Sequence, residues 1–275
     1  MIHVLKPGFF TTVQDAGRWG YQAFGMPVAG VMDRYAYKIA NLLVGNRDGE
    51  AVVEMTMLGG SFRFERETLV AVCGADMQAV LNGKPIAPWN SFKAPAGSEI
   101  EFGYAQSGCR TYMAVSGGVD TPVVLGSRST YTRAVVGGLE GRPLKAGDVL
   151  PTRNTRPVSS SQALPAHFIP IYDQEVTLRV LLGPQDGQFS ANGIETFFKS
   201  IYTVTNEADR MGFRLEGPKI EHSGKPDIVS DALCQGAIQV PGHGQPIIMM
   251  ADRQTTGGYT KIGAVIGPDL RLLAQ

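Results

Sequence analysis

Three aspartates are followed at once by an arginine: Asp33-Arg34, Asp209-Arg210 and Asp252-Arg253. A guanidinium in that setting can hold a carboxylate or phosphate through two parallel hydrogen bonds, while the neighbouring carboxylate fixes the arginine or accepts a proton. The competing reading is an ion pair closed within each dipeptide. The third pair lies in the stretch IQVPGHGQPIIMMADRQTTGG, Ile238 to Gly258. Its apolar segment, Pro-Gly-His-Gly turn and second apolar run from Pro246 to Ala251 predict a hairpin that delivers Asp252, Arg253, Gln254, Thr255 and Thr256 at one end. Polar side chains crowded at the end of a buried strand are costly unless they meet a ligand or each other.

Arg128 and Arg133, with Ser129, Thr130 and Tyr131 between them and Gly126 just before, suggest an anion cradle, with a solvated loop as the alternative. His243, between two glycines at the hairpin tip, is either an exposed acid or base or a turn residue. The sequence has no GxxxxGK[ST] phosphate loop, and Gly137, Gly138 and Gly141 do not reproduce a dinucleotide fingerprint. A GxSxG nucleophile elbow is also missing. These residues do not name a reaction; they point to a small anionic or amide-bearing ligand bound between β domains.

The elements that must position them are mostly strands. Frequent Val, Ile and Thr with 34 Gly and 17 Pro favour short strands joined by turns. Val13 to Ala36 is too irregular for a helix and too polar for a core strand, so it reads as a long ordered loop. Asp33 to Val44 predicts a helix with Asp33 as N-cap, Gly45 as stop, and Tyr35, Ile39, Leu42 and Leu43 at helical spacing. From Ala51 to Val119 turn signals recur about every ten residues, as in a barrel or sandwich, and Asn82-Gly83 is the strongest hairpin signal. Leu125 to Gly141 is a second polar loop. Further on, a strand is expected over Val176 to Leu182 and a helix over Gln185 to Lys199, with Phe189, Ile194, Phe197 and Phe198 on its buried side. The Pro- and Ser-rich stretch 151–170 reads as a linker between an N-terminal β domain over 1–150 and a C-terminal one over 171–275.

Bulk properties narrow the class. With 43% hydrophobic and 18% charged residues, the 275-residue chain is expected to fold into a real core. Lys plus Arg and Asp plus Glu are both 25, which, with no long basic run, argues against nucleic acid as partner. Cys73, Cys109 and Cys234 are far apart and without a CxxC, so neither a zinc site nor a disulfide framework is expected. No apolar run approaches membrane-spanning length, and MIHVLKPGFF is interrupted too early for a signal peptide. The expectation is a cytoplasmic protein with no membrane contact and no metal.

VQDAGRWGYQAFGMPVAGVMDRYAYKIANLLVGN, LGSRSTYTRAVVGGLEGRPLKAGD and IQVPGHGQPIIMMADRQTTGGYTKIG strongly resemble the allophanate hydrolase subunit 2 and biotin-dependent carboxyltransferase family, most of all the C subunits of 5-oxoprolinase within it. The similarity runs from Phe9 nearly to the end. It implies a mainly β fold of two cyclophilin-like β-barrel domains with a few short helices. It also implies work alongside a B subunit, similar to allophanate hydrolase subunit 1, and an A subunit. The activity implied first is opening of the lactam of 5-oxo-L-proline to L-glutamate, with ATP consumed by the complex. The alternatives are the carboxyltransferase part of a biotin-dependent urea carboxylase or allophanate hydrolase system, and a non-catalytic antagonist of a kinase inhibitor.

Carried onto matching motif positions, the resemblance implies catalytic roles for Asp252, Arg253, Gln254, Asp33 and Arg210. Substrate binding falls to Gln14, Asp15, Arg18, Arg34, Arg128, Thr130, Asp209, Gln239 and Thr255. Family members usually continue past a Leu-Ala-Gln like Leu273-Ala274-Gln275 into a Gly-Asp turn and a closing strand. On that pattern the C-terminal domain is expected to leave an edge exposed.

Overall fold

The computed structural model describes residues 1–153 and 161–275, so part of the expected linker, 154–160, lies outside the described residues. The chain forms two compact units. The first comprises residues 1–18, 33–176 and 274–275, and the second residues 19–32 and 177–273. Both are mainly β, the class expected, with three short α-helices among the described residues.

The first unit holds β1 (Ile2–Lys6), β2 (Phe10–Gln14), α1 (Arg34–Leu43), β3 (Val52–Thr56), β4 (Ser61–Phe64), β5 (Thr68–Asp76), β6 (Val80–Leu81), β7 (Lys84–Pro85), β8 (Asn90–Ala94), β9 (Glu99–Glu101), β10 (Ser107–Val115) and β11 (Val149–Leu150). Two antiparallel sheets result, β11-β1-β4-β9-β6-β7 and β2-β3-β10-β5-β8. Their inward side chains, among them Ile2, Val4, Phe62, Phe64 and Ile100 from one and Val13, Met55, Val70, Val72 and Met113 from the other, share one core. α1 lies on β5 and β10. Those strands are therefore covered on both faces, which explains why β5 reads as an unbroken apolar run, Leu69 to Ala75, without polar alternation.

The Asn82-Gly83 turn joins β6 to β7 with both residues at positive φ, 49° and 77°, as a type I′ hairpin requires. Gly74 sits at φ 102° beside the bulge where β5 meets β10, and a Cβ there would overlap the Arg110 carbonyl. α1 starts and stops where expected: the Asp33 side chain accepts from Tyr35 N and Ala36 N, and Gly45 follows at φ 70°. Its buried face is not simply the row of large apolar residues whose spacing marked the helix. Ala36, Tyr37, Ala40, Asn41 and Leu43 are buried, whereas Leu42 is 64% exposed and Tyr35 and Ile39 are half-buried. Small residues allow the helix to approach the sheet closely, so a count of large apolar residues alone picks the wrong stripe.

The second unit holds β12 (Val180–Leu182), α2 (Ala191–Lys199), β13 (Thr203–Val204), β14 (Gly212–Glu216), β15 (Asp227–Ala232), β16 (Ala237–Val240), β17 (Ile247–Met249), β18 (Thr256–Val265) and α3 (Leu270–Leu273). One seven-stranded sheet runs β12-β18-β16-β17-β14-β13, with β15 also paired to β18. The expected helix over 185–199 is divided. A short 3-10 turn at Asp186–Gln188 is followed by extended Phe189, and Ser190 caps α2 by accepting from Gly193 N. Phe189 is buried outside the helix, in a β-bridge with His222, and Phe198 is exposed. The strand expected over Val176–Leu182 is limited to β12. β16 and β17 do form the expected hairpin, with Ile238 opposite Ile248 and Gln239 opposite Ile247. No helix among the described residues is long and apolar enough to cross a membrane.

Candidate functional site

Within the first unit, one group joins the loop after β2 to the loop over residues 124–141. The Asp15 carboxylate accepts from Ser127 Oγ and Ser129 Oγ, both at 2.6 Å, from Arg128 N at 2.6 Å and from Gly17 N at 2.9 Å. Arg18 is fully buried, with Nε on the Val124 carbonyl at 3.0 Å and Nη2 on that of Ser129 at 2.9 Å. Gln14 Nε2 donates to the Thr130 carbonyl at 3.1 Å, and Thr130 donates through both N and Oγ1 to the Val13 carbonyl. The fit is tight: a Cβ on Gly138 would overlap Thr130 Oγ1. The structure thus brings Gln14, Asp15, Arg18, Arg128 and Thr130 together as the fastening of two loops. The Arg128 guanidinium points to Asp120 at 2.7 Å. Ser127 and Ser129, the hydroxyls that hold Asp15, had no individual signal in a loop already rich in serine and threonine.

A second group of the first unit surrounds Asp33. Its Oδ1 caps α1, and its Oδ2 accepts from Gln275 Nε2 at 3.0 Å and Tyr172 Oη at 3.3 Å. Asp33 N donates to the buried Tyr112 Oη at 2.8 Å. The Gln275 amide also accepts from Cys109 N and Arg110 N. Arg34 opens the helix with an exposed side chain. Burial pushes the Cys73 thiol and the Tyr112 phenol well above their ordinary values, so both stay protonated at neutral pH. Burial likewise raises the Asp33 carboxyl above its ordinary 3.8, and donors from Gln275, Ala36, Tyr35 and Tyr172 pull only part of the way back.

A raised folded-state value means that the native protein holds this proton more tightly than the unfolded chain. The associated stability is fully present below the ordinary value of 3.8 and is lost as pH rises through the folded midpoint. Carbon-13 titration of the Asp33 carboxyl is expected to give a midpoint above 3.8. Asp33→Asn is expected to flatten that part of the stability curve; a midpoint at or below the ordinary value contradicts the assignment.

In the second unit the β16–β17 hairpin delivers Asp252 as expected, and Asp252 takes its bidentate bond from Arg210, 42 residues earlier in the chain. Arg210 Nε lies 3.0 Å from Oδ2 and Nη2 lies 2.9 Å from Oδ1. Arg210 Nη2 also donates to the Gly30 carbonyl at 2.5 Å, which fastens segment 19–32 to the same pair. Arg253 is buried and donates from Nε to the Leu233 carbonyl at 3.1 Å and from Nη1 to that of Met250 at 3.2 Å. Asp209 is exposed and accepts from Met211 N and Gly212 N, the geometry of a turn. Gln239 is buried on β16, with Nε2 3.4 Å from the Tyr259 carbonyl. Gln254 is exposed and Thr255 half-buried, so these two polar side chains reach solvent from a base fixed by buried charges.

An open concavity of about 520 Å³ lies elsewhere in the second unit, lined by Glu207, Arg214, Glu216, His243 and Gln245 among others. None of the residues assigned to the site lines it. Its Glu207–Arg214 ion pair is solvent-exposed, and we assign it no part in the chemistry. Among the described residues no three His, Cys, Asp or Glu side chains converge as metal ligands would. What the arrangement supplies is a loop whose base is held by buried, hydrogen-bonded charges and from which Gln254 and Thr255 reach solvent.

The family described as carboxyltransferase domain, subdomain A and B, matches residues 24–275. The 5-oxoprolinase C subunit of Escherichia coli strain K12 is 36% identical over 277 residues, covering 100% of this chain and 87% of that protein. Urea amidolyase of Lachancea kluyveri is 36% identical over 278 residues, which is 93% of this chain and 15% of that protein. The crystal structure of K. lactis urea amidolyase superposes with a TM-score of 0.94 at 32% identity, over 100% of this chain and 18% of that one.

Proposed function

The chain belongs to the carboxyltransferase domain family, subdomain A and B, and from that premise we propose that it is the C subunit of an ATP-dependent 5-oxoprolinase. In this reading it opens 5-oxo-L-proline to L-glutamate in the cytoplasm, together with an A and a B subunit. The observation that carries it is the match to a 5-oxoprolinase C subunit over the whole chain and 87% of that relative. Net addition of water across the lactam C–N bond passes through negative charge on the carbonyl oxygen. The part given to this chain is to present Gln254 and Thr255 to that centre from a loop held by Arg210, Asp252 and Arg253.

ATP is assigned to the complex and not to these residues. Both longer helices begin beside carboxylates: Asp33 caps α1, and the Ser190 cap of α2 is bonded to Glu221. A helix start that already holds a carboxylate does not favour a triphosphate. A second reading is favoured by the urea amidolyase relatives and the TM-score of 0.94: the carboxyltransferase component of a biotin-dependent system that carboxylates urea.

Labelled 5-oxoproline incubated with ATP and the co-purified A, B and C proteins is expected to yield labelled glutamate only when this chain is included. Equal glutamate without it overturns the first reading. Carboxylation of urea with a biotin carrier and a biotin carboxylase, in place of glutamate formation, would establish the second.

A further inference from the structure

Lys261 lies on β18 with a side chain only 7% exposed, and lysine is rarely so buried without a partner. Its Nζ donates to Asp231 Oδ2 at 2.5 Å and to the Ala232 carbonyl at 3.1 Å. The peptide unit of the Ala232 carbonyl also carries Leu233 N, which donates to the Thr255 carbonyl at 3.0 Å, and the carbonyl of the following unit, that of Leu233, accepts from Arg253 Nε at 3.1 Å. Two buried cations thus grip successive carbonyls, Ala232 by Lys261 and Leu233 by Arg253.

We propose that Lys261 is a positioning residue: by holding Asp231 and the Ala232 carbonyl it orients Leu233 N toward Thr255 and the Leu233 carbonyl toward Arg253, and so sets the geometry of the Asp252–Thr255 loop. A purely stabilising role fits the chemistry less well. Replacing a buried ion pair with apolar atoms is often neutral for stability, and Asp231, at 51% exposure, can be solvated when its partner is removed. What Lys261 supplies that an apolar residue cannot is the direction of the Ala232 carbonyl.

The test follows hydrogen exchange of arginine Nε–H groups by NMR in the intact chain. Lys261→Met is expected to speed exchange at Arg253 Nε by roughly tenfold or more, the size of losing one hydrogen bond to a charged group, while Arg210 Nε is unchanged. Lys261→Arg should restore most of the protection. Asp231→Asn, at a half-exposed position where folding is not at risk, should give part of the same rise. Unchanged exchange at Arg253 in the folded variants, or an equal rise at Arg210, overturns the proposal. A kinetic arm rests on the oxoprolinase reading: in the reconstituted complex Lys261→Met should lower kcat by about a hundredfold with KM little changed, as misplacement of a site by an ångström does. The exchange result stands whatever that complex turns over, so failure of the proposal and failure of the functional reading are distinguishable.

Discussion

Arg210→Ala is expected to destabilise the second unit by about 3–5 kcal/mol, the cost of leaving one member of a buried ion pair without the other. Both side chains are 8% exposed, and the variant strips Asp252 of two hydrogen bonds at once. The Gly30 carbonyl loses its donor in the same step. Segment 19–32 should therefore become more susceptible to proteolysis even in the folded variant. The measurement is the urea midpoint of the second unit's transition, set against the double variant Arg210→Met, Asp252→Leu. Because desolvating the two charges cancels much of their mutual attraction, the double variant should recover most of the loss. A loss below about 1 kcal/mol for Arg210→Ala would mean that the pair behaves as an exposed one.

That pairing also marks the limit of what the sequence made legible. Short-range features were readable: the α1 cap and stop, the Asn82-Gly83 hairpin, and the β16–β17 hairpin that brings Asp252 to its place. Each is decided by residues within a few positions of one another. The three Asp-Arg neighbours carried no such information. Asp252 finds Arg210 across the sheet, Asp209 closes a turn, and Asp33 caps a helix whose first residue is Arg34. Each dipeptide sits at a turn or a helix start, where the backbone sends the aspartate and the arginine to different partners, so adjacency in sequence is weak evidence for an ion pair. Phe189 misled in another way, since it continues the apolar spacing of α2 yet bridges to His222. Lys261 could have been noticed as a charge inside an otherwise apolar strand end, Ile262 to Val265 following it, but no local rule gives its partner thirty residues earlier. Residue types pointed to a class of ligand without naming a reaction; the reaction proposed rests on the family resemblance.

Asp15→Ala tests whether the conspicuous polar loops of the first unit serve a ligand or each other. Asp15 is 6% exposed and its carboxylate takes four donors, three of them from Ser127, Arg128 and Ser129 in a loop more than 110 residues away. Removing an acceptor leaves each buried donor with a penalty of about 1–3 kcal/mol. The two serine hydroxyls can rotate toward other acceptors, whereas the amides of Gly17 and Arg128 are fixed by the backbone. The expected loss is therefore about 3 kcal/mol in the unfolding transition of the first unit, dominated by the two amides. Ser127→Ala and Ser129→Ala leave the carboxylate paired with Gly17 N and Arg128 N, but each strips one buried amide of its acceptor, Ser129 N and Asp15 N respectively, so each should cost about 1–2 kcal/mol. Asp15→Asn should resemble the alanine variant more than the serine ones, because an amide group in place of one oxygen sets a donor against a donor. Limited proteolysis should move to residues 124–141 in Asp15→Ala. If Asp15 instead contacts substrate directly, the same variant will keep its stability and lose activity alone, and the fastening role given to Gln14, Asp15, Arg18 and Thr130 must be abandoned.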